Sequence, residues 1–380
     1  MEAIPRTPRS PQHWIFLFAL TLAAGTLMAQ QAPTISVNVK VVNVLATVRD
    51  QHGNIVNTLT QDDFILDEDG QPQVIRYFTR ETDLALSLGL LVDTSRSQSH
   101  VLGQEKKASA AFANDVLREG TDSAFLIHFD HEVELLQDLT SSRQKVVSAL
   151  QLLQEPSYDD RQRGGGYPGG GSGRGSHGGG PGGGTLLYDS IFLASDELMR
   201  KQPGRKAIIV LTDGVDHGSK MSLDRAIESA QRADTMVYSV YFEGQEGGDR
   251  HSGVSGPWGG GRRRGGGWPG GGGGYPGGGS PQPRPTDRSS ADGKKVLERL
   301  SRETGGRMFV VSKKEPIDQI YRQIQDELRN QYNLGYTPDR AADSSSEYRH
   351  ILVTTRRTDL TVQAREGYYA SRQIDAKRGQ

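Results

Sequence analysis

Apolar and polar positions alternate along the chain from Thr34 to Phe78. Ile35, Val37, Val39 and Val41 alternate with polar or small neighbours, and Val44, Ala46 and Val48 continue the period of two. That period marks strands with one face buried. Phe64, Leu66 and Val74-Ile75 supply more strand material, and the runs Asp50-Gln51-His52-Gly53-Asn54 and Asp67-Glu68-Asp69-Gly70 are turn signals. A small β domain over residues 30–82 is predicted, a sandwich or half-sandwich.

The pattern changes at Leu84. Residues 84–92 form a nearly continuous apolar run of strand length, as a strand buried on both faces of a parallel sheet requires. A helix is predicted over 105–117, with Ala108, Phe112 and Val116 on one face, then strands over 123–129 and 133–139. A helix over 142–153 carries Val146, Ala149, Leu150 and Leu153. After a glycine-rich block come a helix over 186–200, a second fully apolar strand over 207–211, a helix marked by Leu223, Ala226, Ile227 and Ala230, and a strand over 236–242. A second block precedes a helix over 296–303, a strand over 307–311 and an amphipathic helix with Ile317, Ile320, Tyr321, Ile324 and Leu328 in a stripe. Strands alternating with helices predict an α/β domain over 83–330, with a doubly wound, Rossmann-like, mostly parallel sheet and helices on both faces. Strand patterns at 332–336, 350–355 and 360–369 form a C-terminal β extension within 331–380, expected to pair locally or with the N-terminal β domain.

Composition adds three constraints. The 48 glycines gather largely in two insertions, about 156–184 and 244–288, too rich in glycine to offset the entropy of ordering. Any G-x-G-x-x-G match inside them is a product of composition. Arg6 and Arg9, the apolar run 15–29 and Ala29 before Gln30-Gln31 read as an export signal over residues 1–29. The run is short for a spanning helix, which needs roughly 20 residues, so no stable membrane insertion is expected after cleavage; retention as an anchor is the alternative. The expected location is periplasmic, envelope-associated or secreted. There is no cysteine, which excludes disulfides and a lipid-bearing cysteine. The net charge of −1 favours neither nucleic acid nor an anionic membrane. Arg262-Arg263-Arg264 lies among glycines near Trp258, Trp268 and Tyr275, a composition seen in single-strand binders, but export removes the chain from most nucleic acid, and none is expected as a partner.

The candidate chemistry sits where strands end. Asp93-Thr94-Ser95-Arg96-Ser97 follows the first apolar strand, and Asp213 follows the second in Leu211-Thr212-Asp213-Gly214. Ligands of open α/β sheets bind beyond the carboxyl ends of strands. Asp93, two hydroxyls at i+2 and i+4, and Asp213 make an all-oxygen set, which hard cations choose and Mg²⁺ suits best; Mn²⁺ or Ca²⁺ are alternatives.

Asp-x-Ser-x-Ser after a buried strand resembles the metal-ion-dependent adhesion site (MIDAS) of von Willebrand factor type A (VWA) and integrin I domains. That family adds a threonine from a loop before a helix, matched by Thr185 in Gly183-Gly184-Thr185, and an aspartate after the next central strand, matched by Asp213. The resemblance covers roughly residues 84–331. The flanking segments look more narrowly like exported proteins of the acidobacterial VWFA-related group, in "Leu-Thr-Gln-Asp-Asp-Phe", "Glu-Asp-Gly" and the closing "Arg-Glu-Gly-Tyr-Tyr". It implies metal ligation by Ser95, Ser97 and Thr185, with Asp93 and Asp213 balancing charge and orienting water. It also implies a protein partner whose acidic side chain completes the metal's shell. The chain departs from the family in one respect: a long glycine insertion ends immediately before Thr185.

The competing readings are weaker. No Gly-x-Ser-x-Gly elbow, P-loop or His-Glu-x-x-His occurs, and a hydroxyl beside a metal site is more simply a ligand than a nucleophile. His128, His131 and His217 stand alone in the sequence as surface or core residues. An enzyme is not expected. An envelope scaffold with a vestigial metal site is the alternative to metal-dependent adhesion.

Overall fold

In the computed structural model, residues 41–80, 84–154, 184–243, 285–340 and 347–370 are described. The segment expected to direct export, the alternation at Ile35 to Val39, most of both glycine insertions and the Arg262-Arg263-Arg264 cluster with its aromatic neighbours lie outside the described residues.

The chain begins with β1 (Val42–Arg49), β2 (Phe64–Glu68), β3 (Gln71–Pro72) and β4 (Ile75–Arg80). Asp69 and Gly70 join β2 to β3 with φ of 50° and 75°, the left-handed pair that a two-residue hairpin needs. The α/β domain follows with β5 (Leu86–Asp93), β6 (Ser123–Phe129), β7 (Val133–Thr140), β8 (Arg205–Thr212), β9 (Met236–Tyr241) and β10 (Met308–Val310). Their order is β10-β9-β8-β5-β6-β7, parallel except that β7 runs antiparallel to β6. Every residue of β5, β8 and β9 is buried, which accounts for the apolar runs at the heart of β5 and β8. Gly89 in β5 is needed for space: a Cβ there would lie 2.5 Å from the Phe125 ring.

Six α-helices are described: α1 (Leu102–Val116), α2 (Arg143–Leu152), α3 (Leu187–Leu193), α4 (Leu223–Arg232), α5 (Pro285–Thr304) and α6 (Ile317–Arg329). The stripes of α1, α2 and α6 bury Phe112, Val146, Leu150, Ile320 and Ile324 against one sheet face, where Phe112 stacks on Tyr321 at 4.4 Å. The stripes of α3, α4 and α5 bury Ile191, Ile227 and Leu297 on the other. Ser142 and Ser222 cap α2 and α4 by accepting from Lys145 N and Arg225 N. The domain is thus doubly wound, with helices on both faces.

Three elements differ from the sequence expectation. The helix expected over 186–200 is α-helical only to Leu193, then widens to a π turn over Ala194–Leu198 and tightens to a 3-10 turn over Met199–Lys201. Helix α5 starts at Pro285, inside the expected bound of the second insertion, where proline suits the first helical turn. The strand expected over 360–369 is two, β13 (Thr361–Ala364) and β14 (Gly367–Ala370), in different sheets. The chain crosses between them at Arg365-Glu366, and Gly367 allows the approach, since a Cβ there would lie 2.4 Å from the Arg349 carbonyl oxygen.

With β11 (Tyr332–Tyr336) and β12 (Glu347–Thr355), these strands complete a sandwich with β1–β4. One sheet has the order β13-β1-β11-β4 and the other β14-β12-β2-β3. The terminal strands therefore pair with the N-terminal ones, Val44 facing Leu334 and Leu66 facing Val353, around a shared core that includes Phe64, Tyr332 and Tyr368. Glu68, expected as part of a turn, ends β2 inside this core. Arg349 Nη1 donates to its Oε1 at 2.9 Å, and the hydroxyls of Tyr336 and Tyr368 donate to its Oε2 at 2.5 and 3.0 Å.

The α/β domain leaves the sandwich after β4 and returns at β11, and Arg80 and Tyr332 are register partners. Arg205 closes that junction: its guanidinium donates both to the carbonyl of Leu84, at 2.8 Å through Nη2, and to that of Leu328. Among the described residues no helix is long and apolar enough to cross a membrane.

Candidate metal centre

The strand order reverses between β5 and β8: from β5 the sheet grows outward through β6 and β7, and from β8 through β9 and β10. Such a switch point opens a crevice beyond the strands' carboxyl ends. Asp93 is the last residue of β5, and Asp213 directly follows β8.

Asp93 is fully buried and held from two sides. Ser95 N donates to its Oδ1 at 2.9 Å, and Thr212 Oγ1 donates to its Oδ2 at 2.5 Å. Thr212 is itself braced, accepting from Gly214 N at 3.1 Å. The Asp93-to-Ser97 loop turns through a 3-10 segment, Arg96–Gln98, and brings the Ser95 and Ser97 hydroxyls to 3.0 Å from each other. Asp213 Oδ1 accepts from Val215 N at 3.1 Å.

Thr185 reaches this edge by its backbone. Its N–H donates to the His217 carbonyl at 3.0 Å, its carbonyl accepts from His217 N at 2.8 Å, and the next residue, Leu186, donates to the carbonyl of Asp130 beyond β6. The segment is thereby stitched to the loops after both β6 and β8. Gly184 permits the stitch, because a Cβ there would sit 2.5 Å from the His217 oxygen. Thr185 and Asp213 are each 6% exposed, so both are nearly covered yet lie at the rim rather than in the core.

The buried carboxylates of this edge shape its electrostatics. Burial pushes the Asp93 carboxyl up to about 7, against the hydrogen bonds from Ser95 and Thr212, and the charge of Asp213 adds to the rise. Neither aspartate makes an ion pair among the described residues. Behind them lies Glu105 of α1, fully buried, with both carboxylate oxygens unpartnered; burial, then the charge of Asp93, raises its pKa well above the ordinary value. Gln98 is also fully buried, with neither end of its amide partnered. No group of three or more His, Cys, Asp or Glu side chains gathers among the described residues, so a metal here draws on hydroxyls as well as carboxylates. Buried carboxylates without counter-charge, beside paired hydroxyls, fit a hard divalent cation.

The histidines have other duties. His128 Nδ1 lies 3.1 Å from Thr94 Oγ1, and its Nε2 lies 3.0 Å from Glu134. His131 Nδ1 lies 2.8 Å from Asp130 Oδ1, and His217 serves through its backbone. Sequence reading missed Thr212, Glu105 and Gln98. A signal existed for Glu105: it shares the buried face of α1 with Ala108, Phe112 and Val116, at spacings of three, four and four, where a glutamate is out of place.

Residues 88–215 match the family model of the von Willebrand factor type A domain, about a third of the chain. The matched stretch runs from β5 to just beyond β8 within the α/β domain. Among solved structures, the chain is similar to an aerotolerance-related membrane protein from Bacteroides fragilis, 15% identical over 64% of this chain and 98% of that one, with a TM-score of 0.40. It is also similar to a von Willebrand factor type A protein from Catenulispora acidiphila, 10% identical over 89% and 76%, with a TM-score of 0.42. A third is proximal thread matrix protein 1 from the mussel byssus, with a zinc-occupied MIDAS motif, 10% identical over 70% and 50%, with a TM-score of 0.39. A search of curated proteins finds no match.

Proposed function

We propose that this protein is an exported binding protein that engages a protein partner through a divalent cation, Mg²⁺ by preference, at the β5–β8 edge. Ser95, Ser97 and Thr185 would hold the ion, with Asp93 and Asp213 supplying charge. The observation that carries the reading is Asp93: a carboxylate buried beside Asp213, without an ion pair, at the sheet's switch point. When bound, the cation supplies an electrophilic position that an acidic side chain from the partner can fill. The protein's own part is positional. Thr212 fixes the Asp93 carboxylate, the 3-10 turn presents two hydroxyls together, and the bridge to His217 holds Thr185. This reading makes Ser95 a ligand and the protein a binder rather than an enzyme. Export rests on the charged and apolar pattern of residues 1–29.

Calorimetry with Mg²⁺ and Mn²⁺ tests the site. Wild type is expected to bind one ion per chain, Asp213→Ala to lose it, and Ser95→Ala with Ser97→Ala to weaken it at least tenfold while keeping the fold. Equal heats in all three proteins would sink the assignment. Partner binding that survives both EDTA and the double serine variant would leave the scaffold reading in its place.

A further inference from the structure

The opposite end of the central sheet carries the opposite charge. Where β8 and β9 begin, a cavity of about 350 Å³ opens between the α/β domain and the sandwich. Arg205, Lys206 and Met236 line one side, Leu45 and Arg365 the other, with Asp234 among them. Three cationic side chains thus share the cavity with one carboxylate.

The three cations are committed to different degrees. Arg205 is engaged by the carbonyls of Leu84 and Leu328. Arg365 donates through Nη1 to Asp234 Oδ1 at 2.6 Å and through Nη2 to the Asn43 carbonyl at 2.8 Å, which leaves its buried Nε without a partner. Lys206 is 8% exposed and makes no hydrogen bond or ion pair among the described residues. Burial lowers its pKa; Asp234 opposes that shift, and the Arg365 charge adds to it. A buried ammonium beside a second cation is unfavourable unless an anion joins them. The cavity also suits a small ligand by position, between domains, and by its mix of apolar wall and a few directed polar groups.

We propose that this cavity binds a small organic anion, a carboxylate or phosphate group on a short apolar body, with Lys206 Nζ and Arg365 Nε as its donors. Leu45 and Met236 face the apolar part. The site is separate from the metal edge: Lys206 and Asp213 are seven residues apart along an extended strand, about 23 Å. An anion here touches both domains at once, so its binding would stiffen the junction between them.

The mature protein, in EDTA and at constant ionic strength, is titrated with inorganic phosphate and separately with hexanoate. At least one is expected to bind once per chain and to raise the melting temperature, since it binds only the folded state. Binding of phosphate alone assigns a phosphate headgroup, and binding of hexanoate a carboxylate. Lys206→Met should weaken that probe at least tenfold, Lys206→Arg should retain it, and Asp213→Ala should leave it unchanged. Without any probe, Lys206→Met should melt higher than wild type, because it removes a buried charge and its repulsion with Arg365. The proposal is overturned if neither probe binds, if Lys206→Met binds as wild type does, or if that variant melts lower without a probe, as a purely structural lysine would require.

Discussion

Two buried glutamates divide the molecule. Glu68, in the sandwich, is 5% exposed and receives Arg349, Tyr336 and Tyr368. Glu105, behind the β5–β8 edge, is fully buried and receives nothing. The same side chain, removed from water to a similar degree, is neutralised in one region and orphaned in the other. A buried carboxylate with its partners in place organises a core; one without them holds on to its proton instead. Glu68 acts in turn on its donors. Burial pushes the Tyr368 hydroxyl up to about 12, and the Glu68 carboxylate adds to the rise, which keeps this donor protonated at any physiological pH.

The sharpest way to break this comparison is Arg349→Met. It leaves the Glu68 carboxylate buried without its cation, and a loss of about 3–5 kcal/mol is expected, read from the urea midpoint. A loss below 1 kcal/mol would mean that Glu68 is as orphaned as Glu105. Next comes Thr212→Val, which keeps the shape but removes the hydroxyl between Asp93 and Gly214 N. Two buried groups lose a partner, at about 1–3 kcal/mol, and metal affinity should fall as Asp93 loosens. Unchanged stability together with unchanged affinity would show that Thr212 holds nothing. The smallest effect has the opposite sign. In chelator, Glu105→Gln should match wild type at pH 4, where both side chains are neutral in the same unpartnered surroundings, and be the more stable at pH 8. The raised folded pKa means the folded state keeps a proton that the unfolded state releases above about pH 4.3. Wild type therefore loses stability as pH rises from there towards the folded pKa, and the glutamine variant lacks that share of the loss. Parallel stability–pH curves for the two proteins would contradict the shift.

The α/β domain was legible because its central strands are buried on both faces. Leu84 to Val92 and Ala207 to Leu211 could hardly be anything else, and Asp93 and Asp213 stand where those runs stop. What escaped reading depends on partners far along the chain. Glu68 sits in an Asp-Glu-Asp-Gly run that reads as a turn, while Arg349 and Tyr336, which give it a role, lie 281 and 268 residues away. The strands of the C-terminal extension were visible by period, but not the insertion of β11 between β1 and β4, because alternation fixes which face is buried and not which neighbour covers it. The break at Arg365-Glu366 was hidden for a related reason: the residues on either side alternate as one strand would, and only the second sheet's position divides them.

Arg205 has a consequence for the order of assembly. Strands β4 and β11 pair although Arg80 and Tyr332 are 332 − 80 = 252 residues apart, a closure that is entropically slow for an open chain. A folded α/β domain removes that delay, because it delivers Leu84 and Leu328 to one guanidinium, after which the two strands meet as if joined by a short turn. The sandwich should then close late in refolding, in step with the docking of Arg205. Until it does, β1 to β4 wait with open edges, and a chain stalled at that stage is the form most exposed to aggregation.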